Sequence, residues 1–301
     1  MKDVTAEKLE GVDDLTMVND GIFSDFDSDG DLDLITVGEW MGILFFENVN
    51  NTFKRKTHSE LSRFSGWCQT ITEMDMDNNG FPDYLVGNWG MNNKFHPTKE
   101  KPLHIYADYL DKNTSFDIVL SKVSKTGDLL PVRGKECSSQ QTPFINEKLK
   151  TYKAFAASTL PDIYGEDKLK NAYHYEANNF NTILLKNEAG SAFEINNLPI
   201  QAQFSPTLGF EVQDINNDGY PDIFGIGNIY DAEVETIRYD ASKGYVLLGN
   251  ENGHFNYVHD LSYLNPNEAR AIKKIIIKGQ VHFIILNKNN SLHILRLNET
   301  L

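Results

Sequence analysis

Asp25-Phe26-Asp27-Ser28-Asp29-Gly30-Asp31-Leu32-Asp33 is the stretch on which the fold turns. Side-chain oxygens stand at positions 1, 3, 5 and 9 of this nonapeptide, and glycine stands at position 6. The pattern returns as Asp75-Met76-Asp77-Asn78-Asn79-Gly80-Phe81-Pro82-Asp83 and again as Asp214-Ile215-Asn216-Asn217-Asp218-Gly219-Tyr220-Pro221-Asp222. Alternate side chains of a tightly curled loop converge on one point, and glycine permits the sharp turn. Calcium is a hard cation that takes six to eight oxygens in flexible geometry. The expected ligands are Asp25, Asp27, Asp29 and Asp33; Asp75, Asp77, Asn79 and Asp83; and Asp214, Asn216, Asp218 and Asp222. The residue at position 7 (Asp31, Phe81 or Tyr220) is placed to add a backbone carbonyl.

The expectation is about three Ca2+ ions. The three sets hold four, three and three carboxylates, which repel one another at close range without a cation. Magnesium suits such loops less, because it demands a stricter octahedron and keeps its waters. Transition metals favour His or Cys, which the loops lack. The plainer alternative is a set of Asx-type turns that select Asp and Gly for the bend alone. One loop would leave that alternative standing; three at one phase of a repeat count against it. An EF-hand would need Glu at position 12 and flanking helices. Position 12 is Thr36, Val86 or Gly225, inside apolar runs of β character.

Two further repeats surround the loops. Each acidic loop leads into a short apolar run ending in Gly38, Gly87 or Gly227, followed by Glu39-Trp40, Asn88-Trp89 or Asn228-Ile229. A hairpin signature then recurs at Phe45–Phe53, Leu184–Phe193 and Leu247–Phe255, with Asn and Gly to supply the positive φ of tight turns. Phe53 precedes Asp75 by 22 residues and Phe193 precedes Asp214 by 21. The same step from Phe255 reaches Ile277, beside Lys278-Gly279-Gln280, which reads as a unit whose acidic loop has shrunk to a tight turn. A damaged acidic loop lies at Tyr109 to Asp117.

Short β-rich runs at this period predict an all-β chain, a β-propeller of about five four-stranded blades, as one domain over residues 1–301. Residues of about 143–178, including Asn146–Ser158 and Glu166–Glu176, lack turn signals and read as a helical insertion. Thr5-Ala6-Glu7-Lys8-Leu9 parallels Thr57-His58-Ser59-Glu60-Leu61. The chain is therefore expected either to be a fragment or to use its first strand to complete the last blade.

Composition limits function. The formal charge of -15 argues against a nucleic-acid partner. No apolar run is long enough to span a membrane as a helix. Cys68 and Cys137 make no disulfide framework and are expected as thiols. No nucleophile elbow, zinc helix or phosphate loop is present, and the eight histidines are scattered without helical ligand spacing. Acidic pairs are frequent enough that a glycosidase-like pair stays open.

The acidic nonapeptide followed by an apolar strand and Gly resembles the FG-GAP (VCBS-type) repeat of integrin α-subunit propellers. Phe23-Ser24-Asp25-Phe26-Asp27, Val86-Gly87-Asn88-Trp89-Gly90-Met91-Asn92 and the run from Leu198 to Pro206 are closer still to bacterial FG-GAP-like relatives of cartilage acidic protein. The resemblance implies a calcium-binding propeller on an exported, often cell-surface protein used for binding or adhesion. The chain departs from the motif at Tyr109 and Thr114, which puts metal in that loop in doubt.

If the acidic loops sit at one end of their strands, the next turns sit at the other. Those turns carry Glu39, Trp40, Asn88, Trp89, Asn228, Tyr230, Asp231 and Arg238, a mixture suited to a carbohydrate or protein ligand. Packing between blades is an equal expectation for Trp40 and Trp89, and Trp67 is expected in the core. A carbohydrate-active enzyme working from this face is the alternative.

Overall fold

A computed structural model describes residues 1–12, 15–111, 113–232, 236–259, 265–289 and 291–297. They form two compact units, Met1–Lys94 with Phe180–Leu301, and Phe95–Asn179. The structure is mostly β, built from several four-stranded antiparallel sheets and short helices.

The first unit opens with a turn of helix, α1 (Thr5–Lys8), and a short strand, β1 (Leu9–Glu10). A meander follows: β2 (Met17–Ser24), β3 (Asp33–Met41), β4 (Leu44–Val49) and β5 (Thr52–Lys56). Its sheet runs β1-β5-β4-β3-β2, with β6 (Gly66–Trp67) paired to the far end of β3. Strand β1 lies parallel on β5 of this first sheet, so it does not complete the last one. The second sheet begins with β7 (Thr70–Met74) and β8 (Asp83–Gly87). The chain then leaves for the second unit before completing it.

That second unit has its own sheet, ordered β11-β10-β9-β12, from β9 (Leu103–Asp108), β10 (Asp117–Val123), β11 (Leu129–Pro131) and β12 (Tyr173–Ala177). Between β11 and β12 run five short helices, α2 (Lys135–Gln141), α3 (Phe144–Lys148), α4 (Tyr152–Ala156), α5 (Leu160–Tyr164) and α6 (Glu166–Asn171). Thr159 and Asp162 form a reciprocal capping box at the start of α5. The helices start earlier than expected, at Lys135, and stop sooner. Residues 173–177 are strand rather than helix, because Tyr173, Tyr175 and Ala177 alternate with His174 and Glu176 and pair with β9. Leu110, Ile145, Leu160 and Ile163 fill this unit's core.

Back in the first unit, β13 (Ile183–Glu188) and β14 (Ala192–Asn197) finish the second sheet in the order β14-β13-β8-β7. The third sheet is β15 (Thr207–Gln213), β16 (Asp222–Gly227), β17 (Tyr245–Leu248) and β18 (Asn256–Tyr257) in sequence order. The last has three strands among the described residues, β19 (Ala269–Ile277), β20 (Gln280–Asn287) and β21 (His293–Arg296). Lys278 and Gly279 both take positive φ in the β19–β20 turn, where the acidic loop was expected to have shrunk.

Within this unit the first strands touch in series, β2 on β7, β7 on β15 and β15 on β19. Three cores fill the spaces between successive sheets. Phe26, Ile35, Phe45, Tyr84, Val86, Ile183 and Phe193 form the first. Leu85, Leu184, Ile223 and Leu247 belong to the second, and Phe224, Ile226, Val246 and Phe283 to the third. Tyr84 and Val86 face one core while Leu85 faces the next, so β8 is buried on both sides. This is why the runs after the acidic loops are continuously apolar instead of alternating.

The glycines that end those runs have a steric cause. A Cβ on Gly38 would lie 2.0 Å from the Met17 carbonyl, on Gly87 2.5 Å from that of Thr207, and on Gly227 1.8 Å from that of Pro206. Backbone crosses backbone here, and no side chain fits. Cys68 is buried and Cys137 half-buried, and neither is in a disulfide. No helix among the described residues is long and apolar enough to cross a membrane.

Candidate metal centres

All three acidic loops lie in the first unit and share one architecture. Position 4 (Ser28, Asn78, Asn217) and position 6 (Gly30, Gly80, Gly219) take positive φ, curling the loop back on itself. The position 1 carboxylate then accepts two backbone N–H groups across the curl. Asp25 accepts from Asp29 at 3.0 Å and Gly30 at 3.1 Å. Asp75 accepts from Asn79 at 3.0 Å and Gly80 at 2.9 Å, and Asp214 from Asp218 at 3.2 Å and Gly219 at 3.0 Å.

Position 9 has a second task. Asp33, Asp83 and Asp222 are fully buried. Each accepts the N–H of position 2 in its own loop: Phe26 at 3.3 Å, Met76 at 2.9 Å and Ile215 at 2.7 Å. The other carboxylate oxygen reaches into the outer hairpin, taking N–H groups of Asn48 at 2.7 Å, Asn187 at 2.8 Å and Gly249 at 2.9 Å. Position 9 therefore latches the loop to the sheet. Position 2 is the matching apolar anchor: Phe26, Met76 and Ile215 are all buried.

The Tyr109–Asp117 loop of the second unit keeps the position 2 half of the latch and lacks the position 1 acid and the position 6 glycine. Buried Asp117 accepts the Leu110 N–H at 3.1 Å, and Leu110 is buried in the position 2 manner. Asp111 turns onto Asn113 instead of facing a cluster of acids.

Burial drives the acidity of the latches. Desolvation pushes the Asp33 carboxyl up to about 6, against the downward pull of its two N–H donors. Asp83, Asp117 and Asp222 are raised for the same reason. Asp31 is raised first by desolvation, then by the carboxylates of Asp29, Asp27 and Asp25.

Carboxylates converge in the first two loops, in the second with the latch Asp83 among them. One oxygen each of Asp25, Asp27 and Asp29 lies within 4.8 Å of the others, and the same holds for Asp75, Asp77 and Asp83. Buried oxygens of Asp27, Asp31 and Asp77 have no hydrogen-bond partner among the described residues. A buried carboxylate oxygen left unpaired is costly, and a cation at the focus of the loop removes that cost. The donor set is all oxygen, as calcium requires, so these loops fit the ion.

Two lysines add a feature the nonapeptide does not contain. Lys56 holds Asp27 at 3.1 Å and Glu47 at 2.7 Å, and Lys186 holds Asp77 at 3.1 Å. Both ammonium groups reach position 3 from the outer hairpin. In the third loop position 3 is the neutral Asn216, which bonds Asp218 at 2.9 Å. In the first unit's loops a lysine faces position 3 where it is an acid.

The three loops sit together at one end of their strands. Asn187 donates to the Phe26 carbonyl at 2.8 Å, joining the second sheet to the first loop, and Asn78 donates to that of Gly219 at 3.1 Å, joining the second loop to the third. An open cleft of about 440 Å3 lies between the first two loops, lined by Phe23, Leu32, Phe81, Asp25, Glu73 and Asp75 among others. Phe23 and Leu32 are more than half exposed.

At the other ends of the same strands lie the turns expected to face a ligand. Asn88 and Asn228 are buried, and their amides serve the backbone. Asn88 Oδ1 accepts from Trp67 N at 3.1 Å and Trp89 N at 2.8 Å; Asn228 exchanges bonds with Ser242 at 2.8 and 3.2 Å. Trp40 is buried and stands edge-on to Trp67, whose ring meets Trp89 in the same way, and Trp89 meets Tyr239. Glu39 is half-buried and accepts from Gln69 at 3.0 Å. Arg238 is exposed over the ring of half-buried Tyr230, and Asp231 pairs with Lys288 at 2.6 Å. Burial there has the physical reason weighed from the sequence: tryptophans and amides close the gaps between sheets.

Repeated antiparallel sheets, three of them opened by an acidic β-hairpin loop, define a repeat-built β protein with metal-binding potential. Residues 25–86 match the family model described as an FG-GAP-like repeat, covering the first acidic loop, the first hairpin and the second acidic loop. No curated protein matches the chain. Among solved structures, the chain is similar to the NanB sialidase of Streptococcus pneumoniae at 9% identity and a TM-score of 0.36, over 91% of this chain and 46% of that one. It thus spans about half of the sialidase's length. A lectin of Agrocybe aegerita that recognises non-reducing terminal N-acetylglucosamine is similar at 14% identity and a TM-score of 0.23, over 97% of this chain and 85% of the lectin.

Proposed function

We propose that this chain is a calcium-stabilised, non-enzymatic binding module of propeller type, carried by an exported or cell-surface protein, with a carbohydrate or protein ligand. The observation that carries the reading is the convergence of acidic side chains in the first two loops, with buried oxygens of Asp27, Asp31 and Asp77 lacking partners among the described residues. Calcium at these loops neutralises the acids and rigidifies one end of three sheets. The role of the ion is structural, and recognition falls to surfaces that the loops hold in place.

The cleft between the first two loops is the better ligand surface. Its volume falls within the range of small-ligand sites, and it joins apolar walls at Phe23, Leu32 and Phe81 to a few polar groups. The opposite turns have lost Trp40, Asn88 and Asn228 to the interior. Their remaining contribution is exposed Arg238 over half-buried Tyr230, and the half-buried Glu39.

A binding screen on immobilised glycans and on cell-surface protein extracts, run in calcium, tests this reading. Ligand capture that is lost in Phe23→Ser with Leu32→Ser, and kept in Tyr230→Ala with Arg238→Ala, supports the cleft. Capture lost only in the second pair moves the ligand to the opposite turns. Turnover of a captured glycan would replace the binding reading with an enzymatic one.

A further inference from the structure

We propose that the second unit carries a transition-metal site of zinc type, formed by His104, His174 and Glu176 and independent of the acidic loops. Antiparallel pairing places Glu176 directly opposite His104 and His174 opposite Tyr106. Residues opposite one another share a face of the sheet, as do residues two apart along one strand. Register alone therefore gathers His104, Tyr106, His174 and Glu176 on one face of the β9–β12 pair.

The donor atoms form a close triangle. His104 Nδ1 lies 3.0 Å from His174 Nε2 and 3.3 Å from Glu176 Oε1, and His174 Nε2 lies 3.9 Å from that same Oε1. The circle through three points so spaced has a radius of about 2.0 Å, which matches the 2.0–2.1 Å that zinc takes to imidazole nitrogen and carboxylate oxygen. One ion near the centre would come within reach of all three donors once the exposed His174 ring turns toward it. Without an ion, His104 Nδ1 and His174 Nε2 share a hydrogen bond beside the Glu176 carboxylate. Two histidines and a carboxylate are a donor set for zinc-type metals and a poor one for calcium.

The surroundings hold the rings in place. His174 stacks on Tyr106 with ring centroids 4.3 Å apart and planes 6° from parallel, and the two imidazoles lie edge to edge, 9° from parallel, with facing nitrogens 3.0 Å apart. His104 is buried, whereas the side chains of His174 and Glu176 are 36% and 47% exposed. One ligand is thus anchored in the sheet, and the other two face solvent. Three protein ligands with a solvent-open side are the arrangement that leaves a position for water or substrate on zinc. The chemical class of a bound partner would be a small oxygen or nitrogen donor.

The test is a titration of the full chain with Zn2+ alone in excess Ca2+, followed by calorimetry, with Co2+ as a spectroscopic probe. One Zn2+ per chain is expected, with Co2+ giving the visible bands of a four- or five-coordinate ion. Losing an outer partner of a metal ligand costs about 10- to 100-fold in affinity, so losing a ligand should cost at least as much. His174→Asn and Glu176→Gln are the variants of choice, because both positions are solvent-facing and the fold should survive. Each should weaken zinc by about 10-fold or more while melting like wild type in EDTA. No zinc binding in excess calcium, or zinc binding that neither variant weakens, would overturn the proposal.

Discussion

Asp222→Ala separates the two tasks assigned to the acidic loops. The Asp222 carboxylate is buried and accepts the N–H groups of Ile215 at 2.7 Å and Gly249 at 2.9 Å. Hydrogen bonds to charged groups contribute about 1.5–3 kcal/mol each, and a buried donor left without an acceptor costs about 1–3 kcal/mol. Alanine orphans both N–H groups and leaves a small cavity. Part of the loss is offset by removing the desolvated carboxyl, whose pKa is raised by burial. The net cost should be about 3–5 kcal/mol, a large share of an ordinary domain's stability. Asp214→Asn is the counterpart. Its two N–H partners, Asp218 and Gly219, lie on the exposed curl, where water replaces the carboxylate. It should cost about 1 kcal/mol or less without metal but erase this loop's share of the calcium effect. Denaturant unfolding in EDTA and in calcium reads both. Asp117→Ala, which removes the acceptor of the Leu110 N–H in the loop that lacks the position 1 acid, should destabilise in both conditions alike. An Asp222→Ala protein within about 0.5 kcal/mol of wild type in EDTA would refute the latch.

The pH response of Asp33 has a defined sign. Its carboxyl titrates near 3.8 when unfolded and at about 6 when folded, so stability falls as pH rises through that window. Relative to Asp33→Asn, wild type in EDTA should lose up to about 3 kcal/mol between pH 4 and pH 7, and bound calcium should flatten the difference in melting curves. Lys56→Met and Lys186→Met remove an ammonium that competes with a cation for Asp27 and Asp77. Calorimetry should find calcium bound several-fold tighter in the altered loop, with the third loop unchanged. Gly227→Ala sets a Cβ 1.8 Å from a backbone carbonyl and should destabilise by about 3 kcal/mol or more, read by thermal melting; a melting point close to wild type would show that the crossing has room.

Much of this organisation was legible because repetition exposes what a single segment hides. The acidic loops, the glycines that end the following runs and the hairpins all sit where the repeat phase put them. The pairing of β8 with β13 was not legible as such, because 95 residues separate the two strands in the chain. The phase still hinted at it: the Leu184–Phe193 hairpin stands in front of Asp214 as the Phe45–Phe53 hairpin stands in front of Asp75. The latch was missed because position 9 looks like another ligand. Its signal was the apolar residue at position 2, since Phe26, Met76, Leu110 and Ile215 recur wherever Asp stands at position 9. Lys56 and Lys186 were out of reach, since nothing local ties them to position 3. The histidines were judged by helical spacing. On strands the period is two, and His174-Tyr175-Glu176 already placed two ligands on one face, but only the register with β9 supplied His104.

Calcium binding by the loops is the claim on which the account rests. Its most direct test is calorimetric titration of metal-stripped protein with Ca2+, paired with melting in calcium and in EDTA. The account predicts three ions per chain, two in the Asp27→Ala, Asp29→Ala double variant, and a lower melting temperature under chelation, since an ion held only by the folded state stabilises it. Absence of binding heat together with an identical melting curve in EDTA would contradict it.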